Sequence, residues 1–455
     1  MNCLKEPLKL LMKVLMKDKL SKYNIEVEHS DCLLLYNAMT DRILPISYKD
    51  YAIVETLMDH LPVFLEKYPD LYAAMKKSGF IIDSDFDELA YLKLRNKQCV
   101  FIDKDYHITI NPTLDCNLKC WYCSVDYKGV KHNKERMSDD VIRGVNCHIL
   151  DLVEQQKVQS LHLAWFGGEP LMYFDEVIRN ISEFTMQAIS DKKVKFSQQI
   201  TTNATLLNAN RIRQMKDWRF ISFQIPIDGN ERRHNKIKFY ADKKGTYREI
   251  INNINMIVDT IPNVHIAVRI NYDKQTLKNI LDIIPDFSEK TKKSVMIDFQ
   301  RVWQVSCTDT ERDLLKTAKD AFRIAGFTSG FWAYRPKSYK CCYADSYYYY
   351  AVNYDGKVYK CTARDYGDDL HVGDLLPAGK IIWNERRLSK FYEKASYENE
   401  LCENCKMLPL CMGPCIQKNY DMNVKNKPFH CQYENVEYSL SAHIVEMAKR
   451  RNLIE

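Results

Sequence analysis

The sequence predicts an α/β fold: a partial (β/α)6 TIM-like barrel, preceded by a small winged-helix-like module and followed by a cysteine-rich domain. Three observations carry this. Between about residues 106 and 326, β-like runs alternate six times with helical ones, the pattern of parallel strands joined by right-handed crossovers. Before residue 106 the rhythm differs, with a hairpin and short helices. Eight of the sixteen cysteines fall after residue 340. The implied domains are 1–105, 106–330 and 331–455, the last including a C-terminal helix.

In the first segment, CLLLYNAMTDRILPIS reads as a hairpin turning near AMTD, with helical segments near 49–66 and 69–78. SGFIIDSD then turns the chain and FDELAYLKLRNKQ leads back to the barrel. The segment is near the minimum size that folds alone, and its exposed strand offers an edge for an added peptide strand. The plainer reading is a lid over the barrel. The first twenty residues, MNCLKEPLKLLMKVLMKDKL, are apolar at helical spacing but interrupted by lysines. They lack the uninterrupted apolar core of a signal peptide or membrane span. They predict an amphipathic helix docked on the body, with a membrane-surface helix as the alternative. A cytoplasmic location is expected.

The barrel units follow in order. HITIN (107–111) leads into a cysteine loop and then SDDVIRGVNCHILDLVEQQ, with Ser138 as its N-cap. SLHLAWF (160–166) leads to a helix near 174–190, VKFSQQITT to NANRIRQMKDW, and FISFQIPI to a helix near 246–259. VHIAVRIN (264–271) precedes TLKNILDII, and VMIDFQRVWQV (295–305) precedes TDTERDLLKTAKDAFRIAG. Six units are too few for a closed barrel, hence a partial one. A doubly wound open sheet is the alternative, which periodicity does not separate. Either way the chemistry belongs at the C-terminal strand ends. The unusual residues fall there: CNLKCWYC after the first strand, WFGGEP after the second, TTNAT after the third and IDGN after the fourth.

Charged residues at 28% and hydrophobic ones at 46% are ordinary globular usage, and the net charge of +6 is thinly spread. No dense Lys/Arg block interleaves with aromatics, which argues against nucleic acid as a partner. Sixteen cysteines without an export signal point away from disulfides, and their clustering points to metal, since close thiolates need a cation.

Three thiols in CNLKCWYC are odd for disulfides and one short of a closed zinc site. A C-x3-C-x2-C loop suits a four-iron cluster in which one iron keeps an open position. Together with WFGGEP one β/α unit later, the loop resembles that of the radical S-adenosylmethionine (SAM) superfamily. The resemblance implies Cys116, Cys120 and Cys123 as cluster ligands and Tyr122 packed near the adenine. It puts Gly167, Gly168 and Glu169 at the methionine amino group. It also implies one-electron cleavage of SAM to a 5'-deoxyadenosyl radical that abstracts hydrogen from an unactivated carbon.

Cys342, Gly356, Cys361, the run Cys402, Cys405, Cys411 and Cys415 (C-x2-C-x5-C-x3-C), and Cys431 resemble the seven-cysteine SPASM pattern, which carries two auxiliary four-iron clusters. By that resemblance Cys402, Cys405, Cys411 and Cys431 hold one cluster, and Cys342, Cys361 and Cys415 the other. The fourth ligand of the latter stays open between Cys307, Cys341 and no protein ligand. A zinc ribbon of Cys402, Cys405, Cys411 and Cys415 is the alternative, and it leaves Cys342, Cys361 and Cys431 unexplained. Cys3, Cys32, Cys99 and Cys147 read as small buried hydrophobes.

FQIPIDGNERRHNKIK (223–238) resembles the superfamily's serine-x-Asp-Gly stretch, with Pro226 for the serine, Asn235 for an aspartate and Lys238 for an arginine. It implies Asp228 on the nucleoside and Lys238 on the SAM carboxylate; a structural role in the loop is the alternative for each. Thr202 and Asn203 are candidates for ribose or substrate, or else helix caps. His234 reads as a loop hydrogen-bonder. SYYYYAVNYDGKVYKC reads as the first SPASM hairpin, turning at Asp355-Gly356, with alternate tyrosines packing inward. No residue of these patterns identifies a catalytic base.

The implied function is a peptide maturase that closes a thioether or carbon–carbon crosslink in a ribosomally made precursor. The implied cofactors are three [4Fe–4S] clusters, one SAM-binding and two auxiliary, and SAM itself. The implied partners are a precursor peptide with its leader and an electron donor such as flavodoxin or ferredoxin. Alternatives are an anaerobic sulfatase-maturing enzyme, a peptide epimerase, or a non-catalytic electron carrier or zinc adaptor. Thr362 follows Cys361, where the sulfatase maturases place an aspartate base.

Overall fold

The computed structural model describes residues 17–102, 104–123, 135–302, 304–305, 309–329, 336–362, 366–367, 369–429, 431, 433 and 439–454. Contacts divide the chain into two compact units. One contains Met1–Phe101, Trp332–Ser346 and Lys390–Glu455; the other contains Ile102–Phe331 and Tyr347–Ser389. Residues 331–455 are therefore shared between the units.

The first unit opens with β1 (Asp18–Leu20), β2 (Asn24–His29), β3 (Cys32–Asn37) and β4 (Arg42–Ser47), then α1 (Tyr48–Met58), α2 (Leu61–Lys67) and α3 (Pro69–Lys77). Strand β5 (Ile81–Asp83) and helix α4 (Glu88–Val100) complete this part. The expected hairpin is present: β3 pairs antiparallel with β4, Asn37 opposite Arg42. Asn37 holds its turn, with Oδ1 accepting from Met39 N (3.1 Å) and Thr40 N (2.9 Å) while Nδ2 donates to Gly79 O (3.0 Å). The expected amphipathic helix falls on residues 1–16, outside the described residues, and its last three residues form β1 instead.

Strand β3 is the centre of a three-stranded sheet, β2-β3-β4. Its alternate side chains enter two cores. Leu33 and Leu35 pack with Val54, Phe64 and Tyr72. Leu34 and Tyr36 pack with Tyr397, Leu408 and Ile444 from the C-terminal part of the same unit. A strand covered on both faces reads as the continuous apolar run CLLLY, which explains its lack of alternation.

The second unit carries the barrel strands β6 (Asp105–Ile110), β7 (Ser160–Trp165), β8 (Lys195–Thr201), β9 (Phe220–Ile227), β10 (His265–Tyr272) and β11 (Val295–Arg301). Between them lie α5 (Asp139–Glu154), α6 (Asn180–Ala188), α7 (Ala209–Asp217), α8 (Glu231–Ile237), α9 (Tyr247–Thr260), α10 (Lys274–Lys278) and α11 (Glu289–Ser294); α12 (Asp309–Ile324) follows. Ser138 caps α5 as expected, accepting from Val141 N at 3.3 Å. All six strands pair in parallel in chain order, and a short β12 (Thr328–Ser329) extends the β11 edge. A doubly wound sheet would reverse its order at a switch point, so the open partial barrel is the fold.

At the other edge β13 (Tyr349–Val352) pairs in parallel with β6 and turns at Asn353–Gly356 into β14 (Lys357–Tyr359). Gly356 supplies the positive φ of +81° that the turn requires. Strands β15 (His371–Leu375) and β16 (Ile381–Trp383) complete the sheet. The consecutive Tyr349 and Tyr350 are both buried and Tyr347 is exposed, so the tyrosines do not alternate inward and outward as expected.

Three helical segments differ from expectation, the first being the one near 49–66, which divides into α1 and α2. The segment near 174–190 begins with a tight turn at Pro170–Tyr173 and a wide one at Phe174–Arg179 before α6. TLKNILDII divides at Asn279 into α10 and a 3-10 segment, Ile280–Asp286. The chain continues through α13 (Glu385–Tyr392), and the first unit ends with α14 (Glu400–Glu403), α15 (Leu408–Cys411), α16 (Ile416–Lys425) and α17 (Leu440–Arg450). No described helix is long and apolar enough to cross a membrane.

Candidate metal and cofactor site

Residues Cys116–Cys123 follow β6 at the C-terminal edge of the sheet, and the end of β7 fixes the start of their loop. Gly168 N donates to Thr113 O (3.0 Å) and Glu169 N to Asp115 O (2.8 Å). A Cβ on Gly168 would run into Asp115 O, and one on Gly167, whose φ is +119°, into Thr113 O. These glycines thus let the second strand end lie directly under the cysteine loop.

Glu169 is fully buried. Its carboxylate accepts from Thr202 Oγ1 (2.7 Å), Asn203 N (2.7 Å) and Leu171 N (3.0 Å), joining the ends of β7 and β8. Burial outweighs these donors and raises its carboxyl to about 7. Thr202 and Asn203 do not cap α7; Asn208 does, accepting from Arg211 N. Asn203 instead turns Nδ2 toward Cys116 Sγ (3.7 Å) and Asn117 Oδ1 (2.8 Å).

Burial first of all raises the thiols of Cys116 and Cys120, and their neighbours in the loop add to it, Cys120 and Cys123 at Cys116 and Cys123 at Cys120. Such thiols bind metal only as thiolates, which a bound cation holds deprotonated. Local donors suit that charge. Leu118 N donates to Cys116 Sγ (3.4 Å), and the same two-residue pattern recurs at Met407 N to Cys405 Sγ (3.4 Å) and Gly413 N to Cys411 Sγ (3.3 Å). N–H donors to sulfur are what an iron–sulfur cluster uses to spread its charge, so these residues fit one. Among the described residues no three Cys, His, Asp or Glu side chains are grouped as around a single ion.

Across the mouth, at the end of β9, stands a buried cluster. Lys238 Nζ lies 2.6 Å from Asp228 Oδ2, with side-chain exposures of 3% and 0%. Tyr122 Oη donates to Asp228 Oδ1 and accepts from Lys238 Nζ and from Asn271 Nδ2 (3.0 Å). Burial works against both charges, but their mutual attraction lowers the Asp228 carboxyl and raises the Lys238 ammonium, so the pair is ionised. Lys238 also acts on Cys120, lowering its thiol against the effect of burial.

His234 supports this cluster from behind. Its Nδ1 accepts from Asp228 N (3.3 Å), its Nε2 donates to Thr246 Oγ1 (3.1 Å), and Thr246 Oγ1 donates to Lys238 O (2.9 Å). Burial lowers the imidazole to about 3, so it is a neutral hydrogen-bonder. Asn235 accepts from Thr246 N (2.9 Å) and Tyr247 N (3.0 Å) at the start of α9.

In the C-terminal part of the first unit, Cys402, Cys405, Cys411 and Cys431 lie within electrostatic reach of one another, and burial first of all pushes Cys411 to about 12. Cys415 instead neighbours the buried Cys341, together with Cys342 and Cys411. Asp345 joins the two segments: Oδ2 accepts from Cys342 N (2.8 Å) and Oδ1 from Ile416 N (2.9 Å). Cys361 belongs to the second unit, and Cys307 lies outside the described residues. Cys32, Cys99 and Cys147 are half-buried rather than fully buried, and Cys3 lies outside the described residues.

The sequence reading missed Asn271, Thr246, Asn117 and Asp345. Each acts on a motif distant in the chain. For Asn271 a signal existed: VHIAVRIN alternates apolar with polar residues, marking 269 and 271 as facing the concave side.

Residues 110–284 match the radical SAM superfamily model and residues 341–406 the iron–sulfur cluster-binding SPASM domain model. The cysteine-type anaerobic sulfatase-maturating enzyme of Clostridium novyi is 23% identical over 365 residues, 71% of this chain and 91% of that protein. The structure of anSMEcpe with bound AdoMet superposes with a TM-score of 0.55 at 17% identity, covering 76% of this chain and 98% of that one. Streptococcus suis SuiB bound to precursor peptide SuiA gives 0.50 at 14%, covering 88% and 96%. At such identities the two superpositions speak for the fold alone. The chain belongs to the radical SAM superfamily of enzymes and carries a C-terminal SPASM domain.

Proposed function

We propose that this enzyme is a peptide maturase that installs a crosslink, thioether or carbon–carbon, in a ribosomally made precursor. The observation that carries the reading is the module ahead of the barrel. Its three-stranded sheet leaves β2 and β4 each with one paired neighbour among the described residues, edges that a leader peptide can extend. SuiB and anSMEcpe, which share this fold, have both been solved with a bound peptide.

In this reading Cys116, Cys120 and Cys123 hold the SAM-binding cluster. Cys402, Cys405, Cys411 and Cys431 hold one auxiliary cluster; Cys342, Cys361 and Cys415 hold the other, with Cys341, Cys307 or an open position completing it. When bound, these groups and SAM supply an electron and a 5'-deoxyadenosyl radical that takes hydrogen from unactivated carbon. The chain's part is to seat and orient. Tyr122, Asp228 and Lys238 shape the nucleotide side of the mouth, and Gly167, Gly168 and Glu169, with Thr202 and Asn203, hold the cysteine loop against β7 and β8. An electron donor such as flavodoxin or ferredoxin serves it in this reading, and the location is cytoplasmic.

The likeness to the Clostridium novyi enzyme favours a second reading, oxidation of a cysteine or serine to formylglycine on a sulfatase. Thr362 stands against it, since a threonine cannot act as the aspartate base does. Coexpression with a short peptide encoded beside this chain separates the readings by mass spectrometry. Loss of two hydrogens per linkage is expected. Formylglycine on a sulfatase peptide without leader binding overturns the crosslink in favour of the second reading, and an unchanged mass with inverted residues indicates an epimerase.

A further inference from the structure

One face of the sheet is polar and half-buried among the described residues. Along β8 and β9, Ser197, Gln199, Thr201 and Gln224 are half-exposed while their chain neighbours are buried. A sheet with both faces packed would read as continuous apolar runs, so this face is built for contact with something polar. Arg269 stands on it, in β10, in register with Pro226 of β9 and Asp298 of β11.

The Arg269 Nε donates to Asn271 Oδ1 (2.9 Å), and Asn271 Nδ2 donates to Tyr122 Oη (3.0 Å). That bond fixes the plane of the guanidinium, and among the described residues no carboxylate lies within ion-pair distance of it. Asp298, in register with it, accepts from Gln300 Nε2 (2.7 Å); burial raises its carboxyl, and that bond and the charge of Arg269 offset this in part. Arg269 is half-buried on this face, two hydrogen bonds from Tyr122 of the cysteine loop.

We propose that Arg269 is a specificity-determining residue that takes a carboxylate of the peptide substrate, bidentate through both Nη groups, and so sets the reach of the substrate from the cysteine loop. This deepens the peptide-maturase reading and rests on it. The carboxylate belongs either to an Asp or Glu side chain or to the peptide C-terminus.

The test immobilises the anaerobically reconstituted holoenzyme and offers it two pools of short random peptides. One pool is N-acetylated and C-amidated; the other has free C-termini. Retained peptides are read by mass spectrometry, and SAM affinity is measured in parallel. About tenfold enrichment of Asp and Glu from the blocked pool is expected, lost in Arg269→Gln, partly kept in Arg269→Lys, and turned toward Lys and Arg in Arg269→Glu. Enrichment confined to the free-terminus pool, and lost in Arg269→Gln, supports the terminal carboxylate as the source. Peptides retained without either preference, or with one that survives Arg269→Gln, overturn the proposal. So does a fall in SAM affinity in Arg269→Gln with peptide retention unchanged. Retention of no peptide from either pool overturns the underlying peptide reading as well.

Discussion

At the scale of single residues, the Tyr122–Asp228–Lys238 cluster is where energy and chemistry meet. A buried ion pair broken on one side strands a charge in a medium that solvates it poorly. Asp228→Asn or Lys238→Met is therefore expected to cost about 3–5 kcal/mol, visible as a lowered thermal midpoint, while the double variant is milder than either single one. A double variant as damaged as the sum of the two would contradict the pairing. His234 makes a pH prediction. Its imidazole is lowered to about 3 in the folded chain, so the unfolded chain binds the extra proton between that value and its ordinary range near 6.5. Its contribution to stability is complete above pH ~6.5 and declines as pH falls toward ~3, by at most ~1.4 kcal/mol per pH unit. Urea midpoints across that window, compared with His234→Asn, check the sign: the variant loses this part of the acid sensitivity. Glu169→Gln is expected to destabilise by about 1–3 kcal/mol, because an amide nitrogen would face one of the three donors that the carboxylate now satisfies.

At the scale of elements, the strand ends are what the sequence made legible. CNLKCWYC, WFGGEP and IDGN are local patterns whose spacing carries their meaning, and β6, β7 and β9 deliver all three to one edge of the sheet. Long-range partners were not legible. Asn271 reaches Tyr122 across the barrel, Thr246 reaches Lys238 through a loop, and Asp345 joins Cys342 to Ile416, the neighbour of Cys415. No spacing in the chain encodes such meetings; only the alternation in β10 hinted at one. Interior helix breaks were not legible either, as at Asn279, where TLKNILDII divides. The closest packing between elements gives a prediction too. Gly168→Ala places a methyl against the backbone at Asp115, which cannot move aside as a side chain could. It is expected to displace the cysteine loop and to lower iron uptake there, measured as iron per chain after reconstitution, with the SPASM cysteines still loading. Unaltered uptake would show that the loop does not depend on this approach.

At the scale of the whole molecule, each unit carries its own cysteine groups: the three-thiol loop in one, and Cys342, Cys402, Cys405, Cys411, Cys415 and Cys431 in the other, with Cys361 on the barrel side. Replacing Cys116, Cys120 and Cys123 together by Ala is expected to remove about one third of the bound iron and to abolish 5'-deoxyadenosine formation, as three four-iron clusters require. The central claim is that the barrel-mouth loop binds a cluster by three thiolates and leaves one iron to SAM. Electron paramagnetic resonance of the reduced, anaerobically reconstituted chain, recorded before and after adding SAM, tests it most directly. A signal that shifts with SAM in the wild type, and is missing in Cys120→Ser, is the result predicted. A spectrum indifferent to SAM, or a protein that takes up zinc and no iron, would contradict it.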